Sequence, residues 1–393
     1  MLRFSTSAMS DMHIGDLQVA IINYMVAQKL NEQFIVRIED IDKSKNIEGK
    51  DEEILLILEK FALTYSSRFN QSANLHIHQS LAIRLLEEKK AYICTCSTEE
   101  NIDNCKCINA NIDMDLLKRD KLPFVIRVNR ANIDNFIILD ENGLSSRTFA
   151  SACDDMLSSV DFIIESEESA KDREKEIYIK DILEYENSTQ YVDIPIIEND
   201  MTVQSLFEQG FIPDAILNYL ILLVLDRYDN LIFTLPEVLE LELFKFYKIP
   251  MFPFWFNLDT LKIINSEHLK RMEDKKLSSL FGFSDIEIGK LAKVYLDEVS
   301  TINELDVKIK NIFSPKDFTG ERGEKMRIVA DIIYNAPMIN DFNEFKEYII
   351  KESGFEESEI VEPLRYLLTG EDDNIELSKI YPYIKSYILE VVS

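Results

Sequence analysis

Three groups of residues have types and spacings that could do chemistry. Arg3-Phe4-Ser5-Thr6-Ser7 is followed closely by His13-Ile14-Gly15, which opens an apolar-periodic stretch from Leu17 to Leu30. That order reads as strand, loop and helix, and the first amides of such a helix, with its positive dipole end, could hold phosphates while His13 donates a further hydrogen bond. A plain strand-to-helix turn with an incidental histidine fits the same residues. Glu39 and Asp40 end the apolar run Phe34-Ile35-Val36-Arg37-Ile38, at the strand edge where open α/β sheets carry their functional side chains. They could take a substrate amine or simply be a solvated strand end. Cys94-x-Cys96 and Cys105-x-Cys107 place four thiols within fourteen residues, a set that can surround a tetrahedral zinc. Cys153, the odd thiol, reads as a small buried apolar residue.

The elements that must position these groups alternate between strand and helix. Helices are expected over 51–63 and 76–90, with strands at 124–128, 136–139 and 160–164, the pattern of a parallel sheet with crossover helices. His76 and His78, near the start of one helix, read as surface or capping residues. The carboxylates of Glu165, Glu167 and Glu168 read as a solvated turn or, less simply, a cation site. From Thr202 onward helical periodicity dominates, with segments at 205–209, 213–225, 235–246 and 258–271 and a turn at Ile249-Pro250-Met251-Phe252-Pro253. The expected organisation is a Rossmann-type α/β domain over 1–200, containing an inserted region at about 91–150. A helical junction over 201–257 and an all-α domain over 258–393 follow. No internal repeat or low-complexity segment is visible.

Composition sets limits on function. A chain of 393 residues suggests two or three domains, and 46% hydrophobic content supports packed cores. Only 10 residues are glycine, and no Gly-x-Gly-x-x-Gly or Walker-type run is present, so a nucleotide site would have to be built differently. The net charge of −28 argues against indiscriminate nucleic-acid binding. The longest apolar run, Ala215 to Leu225, is interrupted by Asn218 and too short for a bilayer. No signal pattern opens the chain, so a cytoplasmic location is expected.

Taken in order, the chain resembles the bacterial glutamyl-tRNA synthetases, class I enzymes with a Rossmann-type catalytic domain and an all-helical anticodon-binding domain. The residues that carry the resemblance are Arg3-Phe4-x-x-Ser7, His13-Ile14-Gly15, Arg37-Ile38-Glu39-Asp40-x-Asp42, Gln71-Ser72, Ala91-Tyr92-x-Cys94-x-Cys96-Ser97, Phe149-Ala150 with Asp154-Asp155, Gly210-Phe211-x-Pro213-x-Ala215 with Asn218-Tyr219-Leu220, and Leu367-Leu368-Thr369-Gly370. The resemblance implies ATP-dependent activation of glutamate, with magnesium, and transfer to tRNA by a monomer. His13 and Gly15 would meet ATP, Glu39 the amino group of the amino acid, Arg3 its side-chain carboxylate and Ser7 its α-amino-acid end. Cys94 and Cys96 fall where many members begin a zinc site, and Cys105 and Cys107 would complete it.

Departures from the family pattern concentrate at the site. The arginine that grips the substrate γ-carboxylate aligns with Glu165, where an attraction of about 4 kcal/mol at ~4 Å and an effective dielectric near 20 would become a repulsion. The pocket tyrosine aligns with Arg147, which could rebuild the carboxylate contact or pair with Glu165; the pairing is expected. The lysine signature loop should lie between Ile197 and Thr202, but Glu198-Asn199-Asp200-Met201 runs straight into the next helix. Losing such a preorganised donor typically costs ~10²–10³-fold in rate. Lys276-Leu277-Ser278-Ser279 resembles that signature only superficially, since it lies in the helical half. The Ala-Pro-Ser-Pro-Thr-Gly loop has become Ser5-Thr6-Ser7-Ala8-Met9-Ser10, without the residues that shape it. The pattern suggests a synthetase paralogue that binds tRNA, a nucleotide or a protein without aminoacylating. An active glutamate ligase and a ligase with altered amino-acid specificity remain the alternatives.

Overall fold

Short apolar runs and amphipathic segments alternate along the first two hundred residues, and in the computed structural model they form one parallel sheet with its crossover helices. The structure describes residues 1–96, 105–130, 135–225, 229–240, 244–249, 253–372 and 374–393. In order, the elements of this part are β1 (Leu2–Ser7), α1 (Ile14–Leu30), β2 (Phe34–Glu39), α2 (Lys50–Lys60), β3 (Ser67–Asn70), α3 (Leu75–Glu87), β4 (Ala91–Cys94), α4 (Met114–Arg119), β5 (Val125–Val128), β6 (Ile137–Leu139), α5 (Arg147–Leu157), β7 (Phe162–Ser166), α6 (Arg173–Ile182) and β8 (Gln190–Ile194). The sheet order is β3-β2-β1-β7-β8, with every pairing parallel. The inserted region supplies a separate antiparallel sheet, β4-β5-β6. Because the chain leaves β1 toward β2 on one side and returns on the other as β7, the strand order reverses beside β1. Open α/β sheets bind ligands at that reversal, outside the carboxyl ends of the strands.

Register decides what faces the crevice. Ser5 pairs with Arg37 and Ser7 with Glu39, while Leu2 pairs with Phe162 and Glu165 with Asp193. Side chains alternate along a strand, so Arg3, Ser5, Arg37, Glu39, Glu165 and Asp193 share one face. Leu2, Phe4, Val36 and Ile38 lie on the other face and are buried. A parallel sheet is normally apolar on both faces, and here one face carries a buried band of charge. Helices α5 and α6 cover that band and answer it with Asp155 and Lys180. Asp155 is fully buried and accepts from Arg3 Nε at 2.9 Å, Arg37 Nη1 at 2.7 Å and Lys180 Nζ at 3.4 Å.

The chain divides into two compact units. The first comprises Met1–Gln204, Leu220–Asp229 and Leu235–Phe256, and the second Ser205–Tyr219, Asn230–Thr234 and Asn257–Ser393. The second unit is helical as expected, and its helix Leu258–Arg271 starts at Asn257, whose side chain accepts from Thr260 N–H. Gly370 ends the helix Glu357–Thr369 in the left-handed region at φ 77°. A Cβ there would lie 2.1 Å from Asn311 O, so glycine is required. Lys276 to Ser279 lie in the helix Asp274–Leu280 of this unit, where Ser278 is buried and donates to Asp285 O. No helix of the described residues is long and apolar enough to cross a membrane.

Several expectations are corrected. The strand placed at 160–164 runs Phe162–Ser166 instead, because Ser159 turns left-handed at φ 54° and Val160 N–H bonds back to Asp155 O. Glu165 therefore stands buried in a strand, outside the solvated turn expected there. His78 is fully buried rather than at the surface, with Nε2 2.9 Å from Asp154 Oδ1. Asp154 also accepts from Gln71 and Asn74, so the residue pair Asp154-Asp155 serves two separate polar clusters. The helix placed at 235–246 is only Leu235–Glu240, with 241–243 outside the described residues. Ser97, the loop between the thiol pairs at 97–104, and most of the turn at 249–253 also lie outside them.

Asp155→Asn leaves Arg3 and Arg37 buried against a neutral partner, and unfolding in urea should show a loss of about 3–5 kcal/mol. Burial alone would raise the Asp155 carboxyl, but the charges of Arg3, Arg37 and Lys180 outweigh it and hold it down to about 2. A depressed carboxylate contributes its stability above the unfolded value near ~3.9 and loses it as pH falls toward about 2. The difference between wild type and Asp155→Asn should narrow over that window.

Candidate functional site

The crevice at the strand reversal contains a small polar cavity of about 40 Å³. Arg3, Glu39, Arg147 and Glu165, all expected at the site, line it together with Arg37 and Glu176. Arg147 does not pair with Glu165. Its Nε donates to Glu39 Oε2 at 2.9 Å, and Ser5 donates to Glu39 Oε1 at 2.9 Å. Burial pulls the Glu39 carboxyl up, yet the neighbouring Arg147 and Arg37 charges leave it below the ordinary range. Glu165 accepts instead from Arg173 Nη2 at 2.9 Å, and Arg173 also pairs with Asp193. The expected Arg147–Glu165 pairing fails because Glu165 and Asp193 share a face on adjacent strands and Arg173, at the start of α6, reaches both. Arg147 opens α5 beside the end of β2 and reaches Glu39 instead. Arg3, committed to Asp155, is only 5% exposed.

Next to this cavity lies a wider cleft of about 400 Å³, lined by His13, Gly15, Asp16, Ser166, Glu168, Glu198 and Asn199 among others. His13 is the N-cap of α1: its Nδ1 accepts from Gly15 N–H, leaving the Nε2 proton to donate to Asn199 O at 2.8 Å. His13 also bridges to Thr202, and Ile14 N–H bonds to Met201 O. The segment that stands in place of the lysine loop thus closes over the start of α1 and takes up donors that an anion would need. Three carboxylates and no lysine or arginine line the cleft. These residues do not fit an ATP triphosphate. Ser7 lines neither space and accepts from Met9 N–H.

The four thiols do converge. Their sulfurs lie within 4.8 Å of one another, with Cys94, Cys96 and Cys105 separated by 3.3 to 3.5 Å. A metal bound to four thiolates at about 2.3 Å sets its sulfurs roughly 3.8 Å apart, so the donor set and its size fit. Cys94 is placed by β4, and Cys105 and Cys107 are buried with it.

The sequence assigned no site role to Arg37, Ser151, Arg173 or Glu176. Arg37 carried a signal, a cation inside an otherwise apolar strand. It donates to Ser5 Oγ, Ser151 Oγ and Asp155. Glu176 carried none, since it lies in the polar run Arg173-Glu174-Lys175-Glu176 and only the packing of α6 turns it inward.

Against this geometry the comparisons with known proteins are decisive about kinship. The chain is 48% identical to glutamate–tRNA ligase 2 of Sulfurovum sp. strain NBC37-1, a match covering 100% of both chains. It is 37% identical, with the same coverage, to glutamate–tRNA ligase 2 of Sulfurimonas denitrificans. This chain belongs to the glutamate–tRNA ligase family. The family pattern described as tRNA synthetases class I (E and Q), catalytic domain, matches residues 1–106. A glutamate tRNA ligase from Elizabethkingia meningosepticum, solved in complex with its amino acid, shares the fold. Its TM-score is 0.78 at 16% identity, covering 100% of this chain and 98% of that one. The Sulfurovum match spans 431 aligned positions against the 393 residues here, so this member carries deletions relative to that ligase.

Glu176 supplies a test of the buried band. Burial and the Asp155 charge push its carboxyl up to about 7, so the folded state holds a proton that the unfolded chain, near ~4.3, has released. The resulting cost is absent below about pH 4, grows with pH and is complete above about 7. Glu176→Gln should therefore stabilise the protein at pH 8 by roughly 3 kcal/mol and leave it unchanged at pH 4, as measured by urea unfolding.

Proposed function

We propose that this member of the family has stopped activating glutamate and works as a binding protein on the synthetase scaffold. The observation that carries the reading is the Arg147–Glu39 ion pair. A cationic side chain of the protein occupies the carboxylate that would receive the substrate ammonium, and the space behind it is about 40 Å³, room for only a few waters. Glu165 faces the same cavity where a γ-carboxylate would need a cation, and the acid-lined cleft beside His13 repels phosphates. Full-length relatives named glutamate–tRNA ligase point to tRNA as the partner. The inserted region at about 91–150 and the helices of 258–393 are the parts that would meet it. With 43 basic against 71 acidic side chains, that binding should be weak and confined to a local basic strip.

ATP–pyrophosphate exchange with glutamate and tRNA decides between the binding protein and the active ligase. No exchange above background is expected, and robust exchange would overturn the reading. Exchange supported by another amino acid, with none by glutamate, would favour the altered-specificity ligase.

Zinc in the four-thiol cluster belongs to the same proposal as a structural ion that ties β4 to the Cys105–Cys107 turn. Protein purified without added metal should carry about one zinc per chain, and Cys107→Ser should release it. A stoichiometry well below one would refute the assignment.

A further inference from the structure

Glu176 is the one buried acid of the site that the ion-pair network leaves unanswered. It is 7% exposed, it lines the inner cavity, and its Oε2 meets no hydrogen-bond partner among the described residues. A buried carboxylate oxygen in that state is costly, and a donor entering the cavity would relieve it. The cations whose charge reaches it are already committed, Arg3 and Arg37 to Asp155 and Arg147 to Glu39.

Glu39 and Arg147 line this inner cavity and also an outer one of about 270 Å³. Their ion pair is the partition between the two. The Arg147 side chain is 55% exposed, so it can swing into solvent without unpacking the core. The joined space would reach the ~300 Å³ at which small-molecule pockets begin. Ile41, Ile137 and Leu144 give the outer part apolar walls, while Glu39 gives the inner part a negative charge and Glu176 an unpartnered carboxyl oxygen. Arg147 itself shows what suits the partition, a cationic head on an aliphatic stem.

We infer that the joined cavity is a binding site for a small amine or guanidine that lacks a carboxylate. Its cationic head replaces Arg147 on Glu39 and donates to Glu176, and its apolar tail lies against Ile41, Ile137 and Leu144. The inference rests on the reading that the pocket no longer takes glutamate. A carboxylate on the ligand would meet Glu165 and Glu176, which excludes amino acids of the glutamate type.

The test is calorimetric titration of the full chain with butylguanidine, with glutamate as the comparison ligand. Butylguanidine should bind saturably with one site. Arg147→Ala removes the internal competitor and should tighten binding at least tenfold. Adding Glu176→Gln to Arg147→Ala should weaken it at least tenfold, and glutamate should give no saturable heat. Absence of binding to Arg147→Ala, or equal affinity with and without Glu176→Gln, would overturn the inference. Glutamate-dependent pyrophosphate exchange measured on the same preparation separates the two claims. Exchange would sink the non-catalytic reading together with this one, whereas no exchange and no butylguanidine binding would sink this one alone.

Discussion

Asp155 is the residue on which the arrangement of the site depends. Placing arginines on one face of a parallel sheet buries cations where the fold would ordinarily put aliphatic side chains, and such charges are tolerable only when paired and hydrogen-bonded. Asp155 meets that requirement for Arg3 and Arg37 at once and takes Lys180 as a third donor. Its position on α5 fixes the helix over the β1–β2 seam. That in turn sets Arg147, at the first turn of the same helix, beside the end of β2. The ion pair that closes the pocket is a consequence of where Asp155 holds α5.

The same constraint separates side chains held by the core network from side chains at the mouth of the pocket. Arg3, Arg37 and Asp155 stabilise one another, and losing Asp155 takes the shared carboxylate from Arg3, Arg37 and Lys180 at once. Glu39, Arg147 and Glu165 border space rather than core, and changes there are accommodated by new partners: Arg147 for Glu39, Arg173 for Glu165. The chain near His13 follows a similar course. A short connection in place of a loop bridges to His13 and caps α1 from Met201, and a potential anion site becomes a closed turn.

Much of this was legible in the sequence, and for identifiable reasons. The βα alternation, the helical C-terminal half and the thiol cluster follow from periodicity and spacing, which survive without knowledge of contacts. That Glu165 is an acid at the position where the resemblance implies an arginine follows from order along the chain alone. What Glu165 touches was not recognisable, since its partner Arg173 opens the next helix and only the packing of α6 brings it there. The burial of His78 depends on Asp154, 76 residues away. Glu176 lies in a polar run that gives no hint of which residue turns inward. Pairings over such separations are settled by packing, and no local pattern encodes them.

The central claim is that the amino-acid pocket is closed by the protein's own charges. Direct calorimetric titration of the full chain with glutamate at neutral pH, with ATP present and absent, tests it without relying on turnover. The account predicts no saturable binding at millimolar glutamate in either condition. Saturable one-site binding at micromolar glutamate would mean that Arg147 yields Glu39 to the substrate, and would contradict it.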